Sequence, residues 1–221
     1  MFFIFVNDML QNEKYPSKVL QDAVEAIGSL PGVGSRSAVR LALHLLRRPE
    51  ESIHAFAAAV DRLATDVHYC RTCSMIADGD ECSICADRSR DHSQICVVEN
   101  VRDVMSIEAT GQYHGVYHVL GGIISPINGV APSDLTIASL VERVTRLAAP
   151  DSVTDGSVEV ILALSGGVEG ETTAFYIYRQ LEGTGCRITS LARGLGFGDD
   201  LEYADSLTLG RSIVNRIVFE P

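Results

Sequence analysis

The sequence reads as an α/β protein in three parts: a helical N-terminal region, a compact four-cysteine module and a mostly parallel sheet. Before Cys70 the apolar residues recur at helical spacing. Two CxxC pairs then follow, Cys70-Arg71-Thr72-Cys73 and Cys82-Ser83-Ile84-Cys85. Beyond them, short branched apolar runs alternate with helical segments, as buried parallel strands joined by helices do.

The first residues, Met1-Phe2-Phe3-Ile4-Phe5-Val6, are apolar but short. A bilayer-spanning helix needs about 20 such residues. No basic n-region or small-residue cleavage site accompanies them, so residues 1–14 are expected to be an N-terminal extension, a tail or an edge strand. Ser17 is expected to cap a helix carrying Val19, Leu20, Ala23, Val24, Ile27 and Leu30, which Gly28 and Pro31 end. A tight turn, Pro31-Gly32-Val33-Gly34-Ser35, leads into a second amphipathic helix with Val39, Ala42, Leu43 and Leu46, stopped by Pro49. A third helix, with Ile53, Phe56, Ala57, Val60 and Leu63, is expected to pack on the first two. Residues 15–68 thus form a helix-hairpin-helix region.

The turn has a chemical meaning. Gly32 and Gly34 can take positive φ and present bare backbone. Ser35 is expected to cap the following helix, whose first amides point toward the turn and suit phosphate. Arg36, Arg40, His44 and Arg47 follow at i, i+4, i+8 and i+11. No acidic residue occurs from Ala26 to Arg48, although the whole chain carries a net charge of −11. An acidic protein with one basic island can hold a polyanion there and repel it elsewhere. The pattern is similar to the DNA-binding helix-hairpin-helix, which grips the backbone without reading bases. The plainer reading is an αα-hairpin with a solvated basic face; the run without acids favours DNA. One hairpin offers few phosphate interactions, so useful affinity requires several copies.

Residues 69–93 hold the cysteine module. Four thiols in two CxxC pairs can surround one zinc ion tetrahedrally, leaving no open position, so the metal is structural. The other readings are two disulfides or free thiols. With no secretory signal, reduced cysteines and a cytoplasmic location are expected. With four thiols at hand, His54, His68 and His92 are read as surface or structural.

From 94 to 192 the strands are expected at Gln94–Val98, Gly115–Leu120, Val158–Leu164 and Cys186–Leu191, with Val158–Leu164 central. The helices are expected at Val101–Ala109, Thr136–Leu147 and Glu171–Leu181, and a long loop at Gly121–Ser133. Sites in such sheets lie beyond the C-terminal strand ends. Glu99 falls there, as do Glu169 and Glu171. These carboxylates could hold Mg²⁺, receive a basic surface of a partner, or complement helix N-termini. The glycine-rich loop Ala192–Asp200 lacks the Lys of a nucleotide P-loop. In the C-terminal segment, 193–221, a helix is expected over Asp205–Arg216 and an edge strand at Ile217-Val218-Phe219.

Taken in order, Leu30-Pro31-Gly32-Val33-Gly34, the four cysteines, Ile95-Cys96-Val97-Val98-Glu99, Gly121-Gly122-Ile123-Ile124-Ser125-Pro126, Val168-Glu169-Gly170-Glu171-Thr172-Thr173-Ala174 and Gly198-Asp199-Asp200-Leu201-Glu202-Tyr203-Ala204-Asp205 resemble the RecR family of bacterial recombination mediators. The resemblance spans about Tyr15 to Phe219. It implies a helix-hairpin-helix, a four-cysteine zinc module, a Toprim domain over 94–192 and a C-terminal segment. It implies a non-catalytic protein that forms a ring-like homo-oligomer, a tetramer, on double-stranded and gapped or single-stranded DNA. With RecO and RecF proteins, such a protein helps load RecA recombinase. By motif position, Gly32, Gly34, Arg36, Arg40 and Arg47 would face DNA. Cys70, Cys73, Cys82 and Cys85 would hold zinc, and Glu99, Glu169 and Glu171 would form a partner-docking cluster. The alternative is a Mg²⁺-dependent Toprim-type nuclease or phosphoryl-transfer enzyme built on the same acids. The chain departs from the family pattern at Ser165-Gly166-Gly167, where Asn-Pro-Thr is usual, at Ser190 and at Gly196.

Overall fold

The computed structural model describes residues 15–149, 157–192, 194 and 201–214. The expected N-terminal extension, most of the glycine-rich loop and the closing edge strand lie outside these residues. The chain divides into two compact units, one ending at Asp66 and the other beginning at Val67.

The first unit contains α1 (Lys18–Gly28), α2 (Ser35–Leu45) and α3 (Glu50–Thr65). Val24, Ala38 and Ala42 form its buried core, with Leu20, Ile27, Val33 and Val39 packed around them. Small residues let α1 and α2 approach closely: a Cβ on Gly28 would already touch that of Ala38, at 3.5 Å. The expected packing of α3 on this pair is not found. None of its residues is buried, and Phe56, Val60 and Leu63 are each more than half exposed. Periodicity fixes which residues share a helix face, not what covers that face.

The second unit opens with the cysteine module: β1 (His68–Tyr69) pairs antiparallel with β2 (Ile76–Ala77), and α4 (Ser83–Ala86) adds one turn. Four strands follow, β3 (Asp91–Val98), β4 (Gly115–Val119), β5 (Glu159–Ala163) and β6 (Arg187–Ser190), all parallel in the order β4-β3-β5-β6. Three helices connect them: α5 (Val101–Glu108), α6 (Ile137–Leu147) and α7 (Val168–Leu181). A further helix, α8 (Ser206–Val214), lies near the C-terminus.

Strand alternation assigns the faces. Ile95 and Val97 join Val116, Leu120, Val160 and Leu162 beneath Leu140 and Val144 of α6 and Ile177 and Leu181 of α7. Cys96, Val98, Tyr117 and Val119 face the other way, onto Val104 of α5. The expected central strand, β5, is interior, and β3 lies beside it. In α5, Asn100 accepts the Arg102 amide at 2.9 Å. The Asp103 carboxylate accepts the Asn100 amide at 3.0 Å in return, closing a capping box right after Glu99.

Candidate metal centre, hairpin and acidic strand ends

Cys70 and Cys73 flank a knuckle turn after β1; Cys82 and Cys85 open α4. Ser74 makes the turn possible by adopting φ 60°, with its amide bonded to the Cys70 carbonyl at 2.9 Å. The four Sγ atoms lie within 4.8 Å of one another and all four residues are buried. Sγ of Cys73 and Cys82 are 3.6 Å apart. A tetrahedral zinc with bonds of about 2.3 Å separates its sulfurs by about 3.8 Å. All four thiols are free, which rules out the disulfide reading. Apart from Ala77, the buried cluster here consists of the cysteines themselves, so the metal is the module's core. Hydrogen bonding to Cys85 and burial push the Cys73 thiol far up, and burial pushes Cys82 up to about 11. Cys70 is also raised by burial, but backbone amides of Cys82, Thr72 and Cys73 outweigh this and draw it down to about 7. Thiolates so crowded require a dication, which Zn²⁺ supplies. With four sulfur ligands and no open position, it is a structural zinc site.

The histidines stand apart. His54 pairs with Glu50 at 3.3 Å, His92 Nε2 lies 3.0 Å from the Asp87 carbonyl, and neither they nor His68 joins the thiol group.

In the hairpin, Gly32 takes φ +79°, which favours glycine. Gly34, not Ser35, occupies the N-cap of α2, with extended φ of −75° and no side-chain cap. Ser35 is the first helical residue. A Cβ on Gly34 would meet nothing within 4 Å. Neither φ nor packing among the described residues demands glycine at 34. The first-turn amides of Ser35, Arg36 and Ser37 find no acceptor among the described residues. Arg36 and Arg40 lie exposed on α2, whereas Arg47 lies past the helix end in a turn bonded to the His44 carbonyl at 3.1 Å. None of the three takes a carboxylate partner among the described residues.

The acidic residues occupy strand and helix ends, as expected. Glu99 follows β3 and accepts the Ser165 amide at 2.5 Å. Helix α7 begins at Val168, three residues before Glu171, so Glu169 and Glu171 both lie in its first turn. Glu169 accepts a short hydrogen bond from Ser125 Oγ, and Ser125 in turn accepts from Asn128 Nδ2 at 2.8 Å. Thr173 Oγ1 accepts the Ile124 amide at 2.9 Å. These bonds fasten the Gly121–Leu135 loop to α7. Gly170 separates the two acids because a Cβ there would lie 2.3 Å from the Ser165 carbonyl. Among the described residues, only the cysteines form a group able to hold a metal; the three glutamates do not converge. Instead Glu169 and Glu171 share the first turn of α7 with the exposed Val168.

Sequence reasoning missed two polar systems, one half-buried and one buried. Arg90 forks onto Glu108 at 2.9 and 2.5 Å, and Tyr117 donates to the same carboxylate at 2.7 Å. The guanidinium holds Glu108 below its ordinary value. Arg143 of α6 is 4 % exposed and donates to the carbonyls of Tyr117 at 2.8 Å and Thr72 at 3.3 Å. Its signal was readable: it occupies a core position of α6, between Leu140 and Leu147.

Hairpin, closed thiolate centre and parallel sheet define a zinc-bearing helix-hairpin-helix/Toprim protein. Family models agree segment by segment: RecR helix-hairpin-helix over 20–64, the four-cysteine zinc finger domain of RecR over 67–87, Toprim domain over 93–192 and RecR C-terminal over 194–217. Among curated relatives, the chain is 55 % identical to recombination protein RecR of Parabacteroides distasonis over 94 % of this chain and 96 % of the relative. It is 53 % identical to that of Bacteroides thetaiotaomicron, over 94 % and 98 %, and 49 % identical to that of Flavobacterium johnsoniae, over 94 % and 97 %. The chain belongs to the RecR family of recombination proteins, and its role lies in DNA recombination and repair. No helix among the described residues is long and apolar enough to cross a membrane.

Proposed function

We propose that this protein is a non-catalytic, cytoplasmic mediator of recombinational repair that clamps DNA as an oligomer and helps load RecA recombinase on gapped single-stranded DNA with RecO and RecF partners. One observation carries the DNA reading: a glycine at 34 that neither backbone conformation nor packing requires, beside three first-turn amides without acceptors among the described residues. Bare backbone and free amides at a helix start suit a phosphate oxygen. Gly32, Gly34, Arg36, Arg40 and Arg47 form the grip, which touches phosphate and so works on any sequence. The small grip of each hairpin calls for several hairpins on one DNA, hence a ring-like tetramer.

The division of labour follows the segments. Residues 15–68 grip DNA, 69–93 form the zinc module, 94–192 the Toprim domain and 193–221 the C-terminal segment, with 1–14 an extension. Glu99, Glu169 and Glu171 receive a basic surface of a partner protein; their separation supports docking rather than Mg²⁺ chemistry. Incubation with labelled gapped DNA and Mg²⁺ tests the assignment. The DNA stays intact if the protein is a mediator, and specific cleavage lost in Glu99→Ala overturns it.

A further inference from the structure

We propose that the cleft between the zinc module and α6 binds a small molecule bearing one carboxylate or phosphate, seated on Arg143 and Arg146. The cleft has a volume of about 430 Å³, within the range of small-ligand sites, roughly 300–1,000 Å³. One wall carries Arg71, Asp80 and Glu81; the other carries Glu142, Arg143 and Arg146 of α6.

The carboxylates on the zinc-module wall already have partners. Asp80 pairs with Arg71 at 2.8 Å, and Glu81 accepts from Thr72 Oγ1 at 3.3 Å. Neither arginine of α6 is ion-paired among the described residues. Arg143 is buried and bonded through Nη1 to two carbonyls. Carbonyls satisfy donors without neutralising charge, and neither Arg143 nor Arg146 has a carboxylate partner among the described residues. A buried cation without a counter-ion is costly, and an anion relieves the cost. Arg143 and Arg146 are three residues apart and so share a helix face. The guanidinium fork suits a two-oxygen anion.

The acids select against a large ligand. Asp80, Glu81 and Glu142 repel a polyanion such as a DNA backbone but tolerate a compact molecule with a single anionic group.

The test is titration calorimetry on the zinc-loaded full chain with inorganic phosphate and, separately, butyrate, a monocarboxylate, up to about 10 mM, ten times a Kd of about 1 mM. Saturable binding at one site per chain is expected from one of the two, and which one names the anion class. Arg146→Ala, an exposed change, and Arg143→Lys should each weaken it at least about tenfold with zinc content unchanged. Should Arg143→Lys lose its fold, Arg146→Ala decides alone. Absence of saturable binding by either anion, unchanged affinity in Arg146→Ala, or displacement of the anion by an oligonucleotide would each overturn the proposal.

Discussion

Replacing Gly34 with serine separates folding from DNA binding. Gly34 is the uncapped N-cap of α2, its φ of −75° admits any residue, and among the described residues nothing lies within 4 Å of a Cβ built there. A serine therefore enters without strain. Its hydroxyl can accept a first-turn amide, and serine exceeds glycine as a cap by a few tenths of a kcal/mol. Loss of glycine's freedom in the unfolded chain adds about 0.4–1 kcal/mol. The variant should be more stable than wild type by roughly 0.5–1.5 kcal/mol, read as a rise in the urea midpoint. The same hydroxyl occupies an amide that phosphate would use. One lost bond to a charged oxygen costs about 1.5 kcal/mol or more, close to tenfold in affinity per engaged hairpin. Fluorescence anisotropy on labelled gapped DNA should thus show weaker binding by a more stable protein. Equal or tighter DNA binding by that variant would refute phosphate capture at the hairpin.

Other perturbations have equally definite outcomes. Cys73→Ser should lose zinc and melt or aggregate the second unit, because that module has almost no core besides its thiols; full zinc content with native protease resistance would contradict the structural role. His118 is buried, its Nδ1 has no partner among the described residues, and burial holds its pKa down at about 4 against 6.5 unfolded. It is neutral in the folded state while the unfolded state takes up a proton. Stability contributed above pH 6.5 is therefore lost as pH falls toward 4, by about 3 kcal/mol. His118→Gln should flatten that slope in urea melts at successive pH values, and an unchanged slope would exonerate this histidine. Glu169→Lys should keep DNA binding and abolish pull-down of the RecO protein proposed as its partner; retained capture would move docking elsewhere.

Much of this architecture was legible because it rests on local chemistry. The CxxC pairs dictated four converging thiols, Gly32 dictated a positive-φ turn, and branched runs such as Ile95–Val98 dictated buried parallel strands. What periodicity could not supply was tertiary. The stripe on α3 looked like core yet remains exposed, since nothing in a helical repeat names its partner. Helix α7 starts early because Gly167 takes its N-cap; the expected start at Glu171 hid that Glu169 and Glu171 share one turn. Three acids at strand ends left Mg²⁺, partner-docking and helix-end readings open, because the sequence does not show that Glu99 turns to the Ser165 amide and Glu169 to Ser125, across positions far apart in sequence. Arg143 was readable only as a charge out of place on an apolar face.

Whether the hairpin of an oligomer grips DNA through phosphate is decided by a salt series. Anisotropy of labelled gapped DNA would be recorded against wild type and Arg36→Ala/Arg40→Ala, with mass followed by light scattering. The wild-type oligomer should bind tightly and with strong salt sensitivity. The variant should bind more weakly at unchanged mass. The slope of log K against log salt should become shallower by about 0.7–0.9 for each phosphate the variant no longer neutralises. Identical slopes and affinities for the two proteins would refute phosphate capture by Arg36 and Arg40 and move the DNA face away from α2.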